Sequence, residues 1–265
     1  MNQTPQHSNN IFQRPLWVTV FALTAAIAWG WAYPLIKLGF EQFAITPAMT
    51  GSKMLFAGIR FFISGLIILA LMARAGKPMA VKSRGSWWYV LAFALVNTTL
   101  HYACFYFGLS HSAGSRAAIL NSLSVFLVVI MACLFFKSDK MTVAKVAGCV
   151  LGFAGILTLN MGGGDSGSFT LLGDGMIVLN ALCGATASLM TRGLSKRVDV
   201  TVGTGYSLSL GGALLMLPGL ALGGTLPSVT WQGIVILLLL IAISTVGFAL
   251  YNKLLSLNPV GKVAI

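Results

Sequence analysis

Residues 231–255 read WQGIVILLLLIAISTVGFALYNKLL, a run with one charged residue, Lys253, close to its end. A helix of that length rises roughly 37 Å, more than the ~30 Å hydrocarbon layer of a bilayer. In lipid every backbone polar group must be satisfied within its own segment, so the run has to be helical. The pattern recurs: apolar runs lie at 16–38, 54–73, 87–109, 113–136, 143–159, 175–194 and 200–222, and with 231–255 they give eight spans. Of 265 residues, 57% are hydrophobic and only 8% charged, with a mean hydropathy of +0.88. A soluble domain carries about a quarter charged residues. Alternating strands of ~10 residues, the mark of a membrane barrel, are absent. The expected fold class is an all-α polytopic membrane protein.

The net charge of +12 does not indicate a nucleic-acid partner, because the basic residues lie in short connections between apolar runs and not on one soluble face. Arg74, Lys77, Lys82 and Arg84, then Lys137, Lys140 and Lys145, then Arg192, Lys196 and Arg197 fill alternate connections. The opposite connections hold Glu41, Asp165 and Asp174, and the one around Pro227 holds no charge. Positive charge marks the cytoplasmic side, so the N-terminus is expected inside, in the plasma (inner) membrane of a bacterium. Trp17, Trp87, Trp88 and Trp231 stand at run ends, where amphipathic rings favour the headgroup layer. Residues 1–15 are polar and read as a disordered tail. The run at 16–38 is too long for a signal sequence and reads as an uncleaved first helix. Cys104, Cys133, Cys149 and Cys183 fall inside apolar runs without paired spacing, so they read as small buried hydrophobes, with no disulfide, metal site or cofactor expected.

Immediately after the opening run the chain repeats itself. Residues 108–119, GLSHSAGSRAAI, align with 254–265, LLSLNPVGKVAI, matching Leu109/Leu255, Ser110/Ser256, Arg116/Lys262, Ala118/Ala264 and Ile119/Ile265. Extended backwards without a gap, the register pairs Thr99/Thr245, Tyr102/Phe248 and Ala103/Ala249. It makes spans one to five equivalent to spans six to ten. Five is odd, so the second unit starts from the opposite face of the membrane. Inverted repeats of this kind recur in secondary carriers, with the substrate site near the midplane between the halves. The units expected are 16–160 and 174–265, the second incomplete.

The first helix contains Ala28-Trp-Gly-Trp-Ala-Tyr-Pro-Leu-Ile-Lys-Leu-Gly39, the second Gly58-Ile-Arg60, and a connection reads Lys137-Ser-Asp-Lys-Met-Thr142 before a glycine-bearing fifth helix. These stretches resemble the Trp-Gly…Lys, Leu-Arg-Phe and Gly-Glu-Arg-Leu-Thr signatures of the drug/metabolite transporter superfamily, in its ten-helix EamA-type branch. The resemblance implies a transporter. It departs in lacking the fourth-helix proline of many members. Relatives continue through a ninth and a tenth helix, so the resemblance implies a chain cut at the start of the ninth, for which no transport is expected if the product ends there.

Polar residues inside spans are costly in lipid and face the bundle interior. Trp29, Tyr33 and Lys37 recur at i, i+4 and i+8, beside Pro34. They read either as a cavity wall with an outer cation or as interfacial packing with Lys37 snorkelling. Asn97 and His101, with Thr98, Thr99 and Tyr102, form the most polar midspan cluster, read as cavity lining. Asn121 with Ser122, Asn180 and Asn252 are counterparts on other helices, equally consistent with interhelical hydrogen bonding. The expected substrate-binding set is Trp29, Tyr33, Asn97, His101, Asn121, Asn180 and Asn252. Arg60 and Arg116, near the outer ends of their spans, read foremost as snorkelling residues, with attraction of an anionic substrate group as the alternative. Gly148, Gly152 and Gly155 read as a packing stripe against a neighbouring helix or a second copy in a homodimer.

The leading reading is a secondary transporter, an exporter or exchanger of small polar metabolites such as amino acids. No nucleotide-binding loop is present, and no acidic residue lies midspan to relay protons. Intramembrane catalysis would require paired aspartates, a His-Glu-x-x-His motif or an activated serine, and none is present, so no enzyme is expected. The alternative is a truncated, transport-incompetent membrane protein or a lipid-handling relative.

Overall fold

The computed structural model describes residues 10–81, 83–112, 114–136, 141–160 and 169–263. Lys82, Lys137, Lys140, Asp165 and the matched Ala264 and Ile265 lie outside them. Eight helices follow one another: α1 (Pro15–Gln42), α2 (Thr50–Arg74), α3 (Arg84–His111), α4 (Gly114–Phe135), α5 (Val143–Asn160), α6 (Leu171–Ser195), α7 (Val200–Ala221) and α8 (Trp231–Leu257). A single helical turn, α9 (Val260–Val263), comes after them. All but α5 are long and apolar enough to cross a membrane. The outer faces carry exposed Leu71, Leu134, Leu151, Leu217 and Leu238, while buried serines, threonines and asparagines point inward. That arrangement inverts a water-soluble bundle and suits a hydrocarbon surround.

Local chemistry fixes the helix starts. Pro15 begins α1, where its missing N–H costs nothing. The side chains of Ser83, Asp199 and Thr230 cap α3, α7 and α8 by accepting from Ser86 N, Thr201 N and Gly233 N at 3.2, 2.9 and 3.0 Å. Of the expected tail, residues 1–9 lie outside the described residues, and Ile11–Gln13 form a 3-10 turn just ahead of α1. Asn10 Oδ1 accepts from Phe12 N at 3.1 Å, and Asn258 Nδ2 donates to Phe12 O at 2.9 Å, tying the chain start to the end of α8.

The centre of the bundle is a seam between α2 and α7 built from glycines seven apart on each helix. Gly51, Gly58 and Gly65 meet Gly219, Gly212 and Gly205 in antiparallel order. A Cβ at Gly51 would lie 2.6 Å from Gly219 O, one at Gly58 2.9 Å from Gly212 O, and one at Gly65 2.6 Å from Gly205 O. A seven-residue spacing keeps one stripe facing a single partner, and small residues let backbones meet where lipid supplies no hydrophobic drive between helices. Gly152 and Gly155 of α5 do not play this role within the chain. Cβ atoms at Gly152 and Gly155 would meet nothing within 4 Å.

Around the seam the packing is symmetric on exchange of the two sequence units. α1 packs on α8 as α3 packs on α6. The aligned Tyr102 and Phe248 both lie against Phe61 of α2, with ring centroids 4.2 and 6.0 Å away.

α3 is interrupted by a π-helical stretch, Leu95–Leu100. The wider turn lets Thr98 and Thr99 both bury on α7, where Thr99 Oγ1 donates to Gly211 O at 3.0 Å. Thr98 and Thr99 are therefore interhelical packing residues, while His101 and Tyr102 turn to the other side and Asn97 stands between, bonded to α7 through Ser207. Bulges of this type concentrate at functional sites.

Candidate functional site

Between the halves lies a cavity of about 620 Å³, walled by the middles of α1, α2, α3, α4, α6 and α8, with Val263 of α9 at its edge. The volume is that of a small-molecule site. Of the seven residues expected to bind substrate, Trp29, Tyr33, Asn97, His101, Asn121 and Asn252 line it. Asn180 does not. It is buried behind Asn121 and His101 as their support.

Asn180 Nδ2 donates to Asn121 Oδ1 at 2.6 Å, and Asn121 Nδ2 reaches the Tyr33 hydroxyl at 3.5 Å. The main-chain carbonyl of Asn180 lies 3.1 Å from His101 Nδ1. A carbonyl can only accept, so Nδ1 carries a proton, and in the neutral ring Nε2 is left as the acceptor. One asparagine of α6 thus orients groups from α3 and α4, which in turn reach α1. On the other side of the cavity Asn97 Nδ2 donates to Ser207 Oγ at 3.2 Å and Asn252 Nδ2 to Thr204 Oγ1 at 3.0 Å. These two side chains serve both readings, lining the cavity while fastening α3 and α8 to α7.

Aromatic rings supply most of the remaining wall. Trp29 makes edge contacts with Phe248 and Tyr251 at 5.4 and 5.1 Å, and Tyr102, Phe105 and Tyr106 continue the lining. Two glycines make room for the large groups. A Cβ at Gly247 would come 2.7 Å from Trp29 Nε1, and one at Gly184 would come 3.0 Å from His101 Cε1. The α1–α8 and α3–α6 junctions therefore share one design, a large side chain set against a glycine.

Three charged residues are placed differently from expectation. Arg60 is 4% exposed and lines the cavity, so it does not snorkel. α2 begins at Thr50, four residues before the apolar run, and this puts Arg60 in the body of the helix. The early start is possible because the Lys53 ammonium is hydrogen-bonded in place, donating to Pro47 O at 2.6 Å and Ser110 Oγ at 2.9 Å. Arg116 does not snorkel either: Nη1 lies 3.1 Å from Asp174 Oδ2. Asp174 is fully buried in the π-helical first turn of α6 and not in a connection, and its carboxylate also accepts from Thr170 N at 2.8 Å and from the Ser112 hydroxyl. This cluster locks the α3–α4 corner onto α6. Ser110 and His111, expected in a connection, close the last turn of α3. Lys37 is exposed, as the snorkelling alternative requires.

The cysteines are free. Among the described residues no acidic side chain lines the cavity, and no group of three or more metal-ligating side chains comes together.

Comparison with known proteins gives the architecture a family. The EamA-like transporter family matches the chain twice, over residues 16–161 and 171–265. The uncharacterized transporter YvbV of Bacillus subtilis is 26% identical over 246 residues, covering 90% of this chain and 75% of that relative. A WAT1-related chloroplastic protein of Arabidopsis thaliana is 29% identical over 165 residues, covering 60% of this chain but only 39% of that relative. One crystal structure superimposes with a TM-score of 0.70 over 93% of this chain and 82% of that one, at 20% identity, so the two share a fold. The chain is a multi-pass membrane protein belonging to the EamA-like transporter family of the drug/metabolite transporter superfamily.

Proposed function

We propose that this membrane transporter is a secondary carrier, an exporter or exchanger of small polar metabolites such as amino acids, working by alternating access between two inverted repeats at 16–160 and 174–265. The observation that carries the reading is the cavity: it lies midway along the helices, and both units supply its polar groups. Such a position is where carriers built from inverted repeats hold their substrate. The paired family matches and the exchange symmetry of the packing support the repeat boundaries. In this scheme the glycine seam between α2 and α7 is the axis on which the halves rock. The solute leaves chemically unchanged. With no carboxylate in the lining among the described residues, exchange or a histidine-linked step at His101 supplies the coupling. Orientation follows the basic connections, with the N-terminus on the cytoplasmic side of a bacterial plasma membrane.

The test is a flux screen of amino acids and nucleosides in liposomes containing the purified protein, repeated with Asn97→Ala and His101→Ala. Substrate-dependent flux that falls at least tenfold in both variants supports the assignment. Flux unchanged in both variants sinks the cavity as the substrate site, and no flux for any solute favours the alternative of a transport-incompetent protein.

A further inference from the structure

Arg60 is the cavity feature that hydrogen bonding inside the protein does not account for. It is 4% exposed, and its Nε and Nη1 are both buried without a hydrogen-bond partner. The guanidinium carbon lies over the Phe61 ring, 4.3 Å from the centroid. A ring face offsets part of a cation's desolvation but accepts no N–H bond. The contrast with the other interior cations is sharp: Lys53 has two oxygen acceptors and Arg116 has Asp174. Burying a guanidinium without an acceptor is expensive, and in membrane interiors such groups mark ligand or ion sites.

The surroundings narrow the ligand. Among the described residues the cavity holds no carboxylate to balance Arg60, so the missing acceptor must arrive with the occupant. Guanidinium presents a planar fork that matches a carboxylate in a two-pronged hydrogen bond. Beyond the fork lie Trp29, Tyr102, Phe105, Tyr106 and Phe248, a surface suited to a flat apolar body. From this geometry we infer that Arg60 anchors the carboxylate of an organic anion whose apolar or aromatic part lies against these rings. This rests on the cavity being the substrate site and specifies which class of solute it takes.

Saturation binding of radiolabelled phenylacetate to the detergent-solubilised chain, with phenylacetamide and phenethylamine as competitors, tests it without requiring transport. A charge-assisted hydrogen bond contributes roughly 1.5–3 kcal/mol, so the acid should outcompete the amide by about 10- to 100-fold. Arg60→Met should weaken phenylacetate binding by the same factor, and Arg60→Lys, which keeps charge but loses the fork, should fall between. Arg60→Met should also melt at or above the temperature of the unmodified protein, because it removes an uncompensated buried cation. A purely structural arginine would make that variant less stable. Ser124→Trp, which fills the cavity, separates the two levels of the inference. Acid and amide binding equally, both lost in Ser124→Trp, would overturn the role of Arg60 and keep the cavity. Binding that survives Ser124→Trp would overturn the cavity as the site. Binding of none of the three probes would overturn the substrate class.

Discussion

Adding one methyl group at Gly65 should damage this bundle more than most substitutions in it. A Cβ there would lie 2.3 Å from Ser209 N, 2.4 Å from Ser209 Oγ and 2.6 Å from Gly205 O. The hydroxyl could rotate away, but the two backbone atoms cannot. To regain an ordinary 3.4 Å contact, α2 and α7 must part by about 1.1 Å, which loosens the neighbouring Gly58 and Gly51 contacts along the same stripe. Overpacking of this kind costs on the order of 1–3 kcal/mol, and rigid backbone on both sides puts Gly65→Ala at the upper end. Gly152→Ala is the internal control. Its Cβ meets nothing within 4 Å, so the substitution should be neutral or, through better helix propensity, stabilising by up to about 1 kcal/mol. The expected gap between the variants is therefore about 2–4 kcal/mol, read as thermal unfolding of purified protein in a mild detergent. Equal melting temperatures for Gly65→Ala and Gly152→Ala would refute the seam as the structural axis.

The Arg116–Asp174 cluster predicts an asymmetry. Asp174→Ala should cost about 3 kcal/mol, because it removes the carboxylate facing Arg116 and leaves the Thr170 N–H without its acceptor, whereas Arg116→Ala leaves the carboxylate with Thr170 and Ser112 and should cost less; melting curves of the two variants decide it. Asp199→Ala removes the cap of α7 and should lower stability by about 1 kcal/mol in the same assay. Deleting Val96 should convert the π-helical stretch of α3 to plain α-helix and rotate His101 relative to Thr99, abolishing binding and flux while the protein still inserts; retained binding would contradict the role given to that bulge.

The fold could be read from sequence because lipid imposes a simple code. A run such as 231–255 has no soluble alternative, and alternate charged connections order the spans. Where the code misled, the cause was a charge held inside the bundle by hydrogen bonds or an ion pair. The apolar run 54–73 begins just after Lys53, yet two oxygens hold its ammonium within α2, and the same shift puts Arg60 on the cavity wall and not at a span end. Asp174 was read in a connection because nothing local shows that Arg116, Ser112 and Thr170 converge on it. At the site, Asn97 and His101 stood out as polar groups in apolar surroundings. Asn180 stood out equally, but only the fold shows that it faces Asn121 and not the cavity. Gly51, Gly58 and Gly65 with Gly205, Gly212 and Gly219 did carry a readable signal, the shared spacing of seven, which the glycines of the fifth helix obscured.

The central claim is that a water-accessible cavity runs between the two units while the outer apolar faces meet lipid. Thiol labelling tests it most directly. With Cys104, Cys133, Cys149 and Cys183 replaced by alanine, single cysteines are introduced at Tyr33, Asn121, Leu151 and Leu238. They are then exposed in proteoliposomes to a charged, water-soluble maleimide. Tyr33, 58% exposed, and Asn121 line the cavity, whereas Leu151 and Leu238, 71% and 57% exposed, lie outside it on apolar helix faces. The account predicts rapid labelling at the first two and none at the others. Labelling at Leu151 and Leu238 with Tyr33 and Asn121 protected would contradict it.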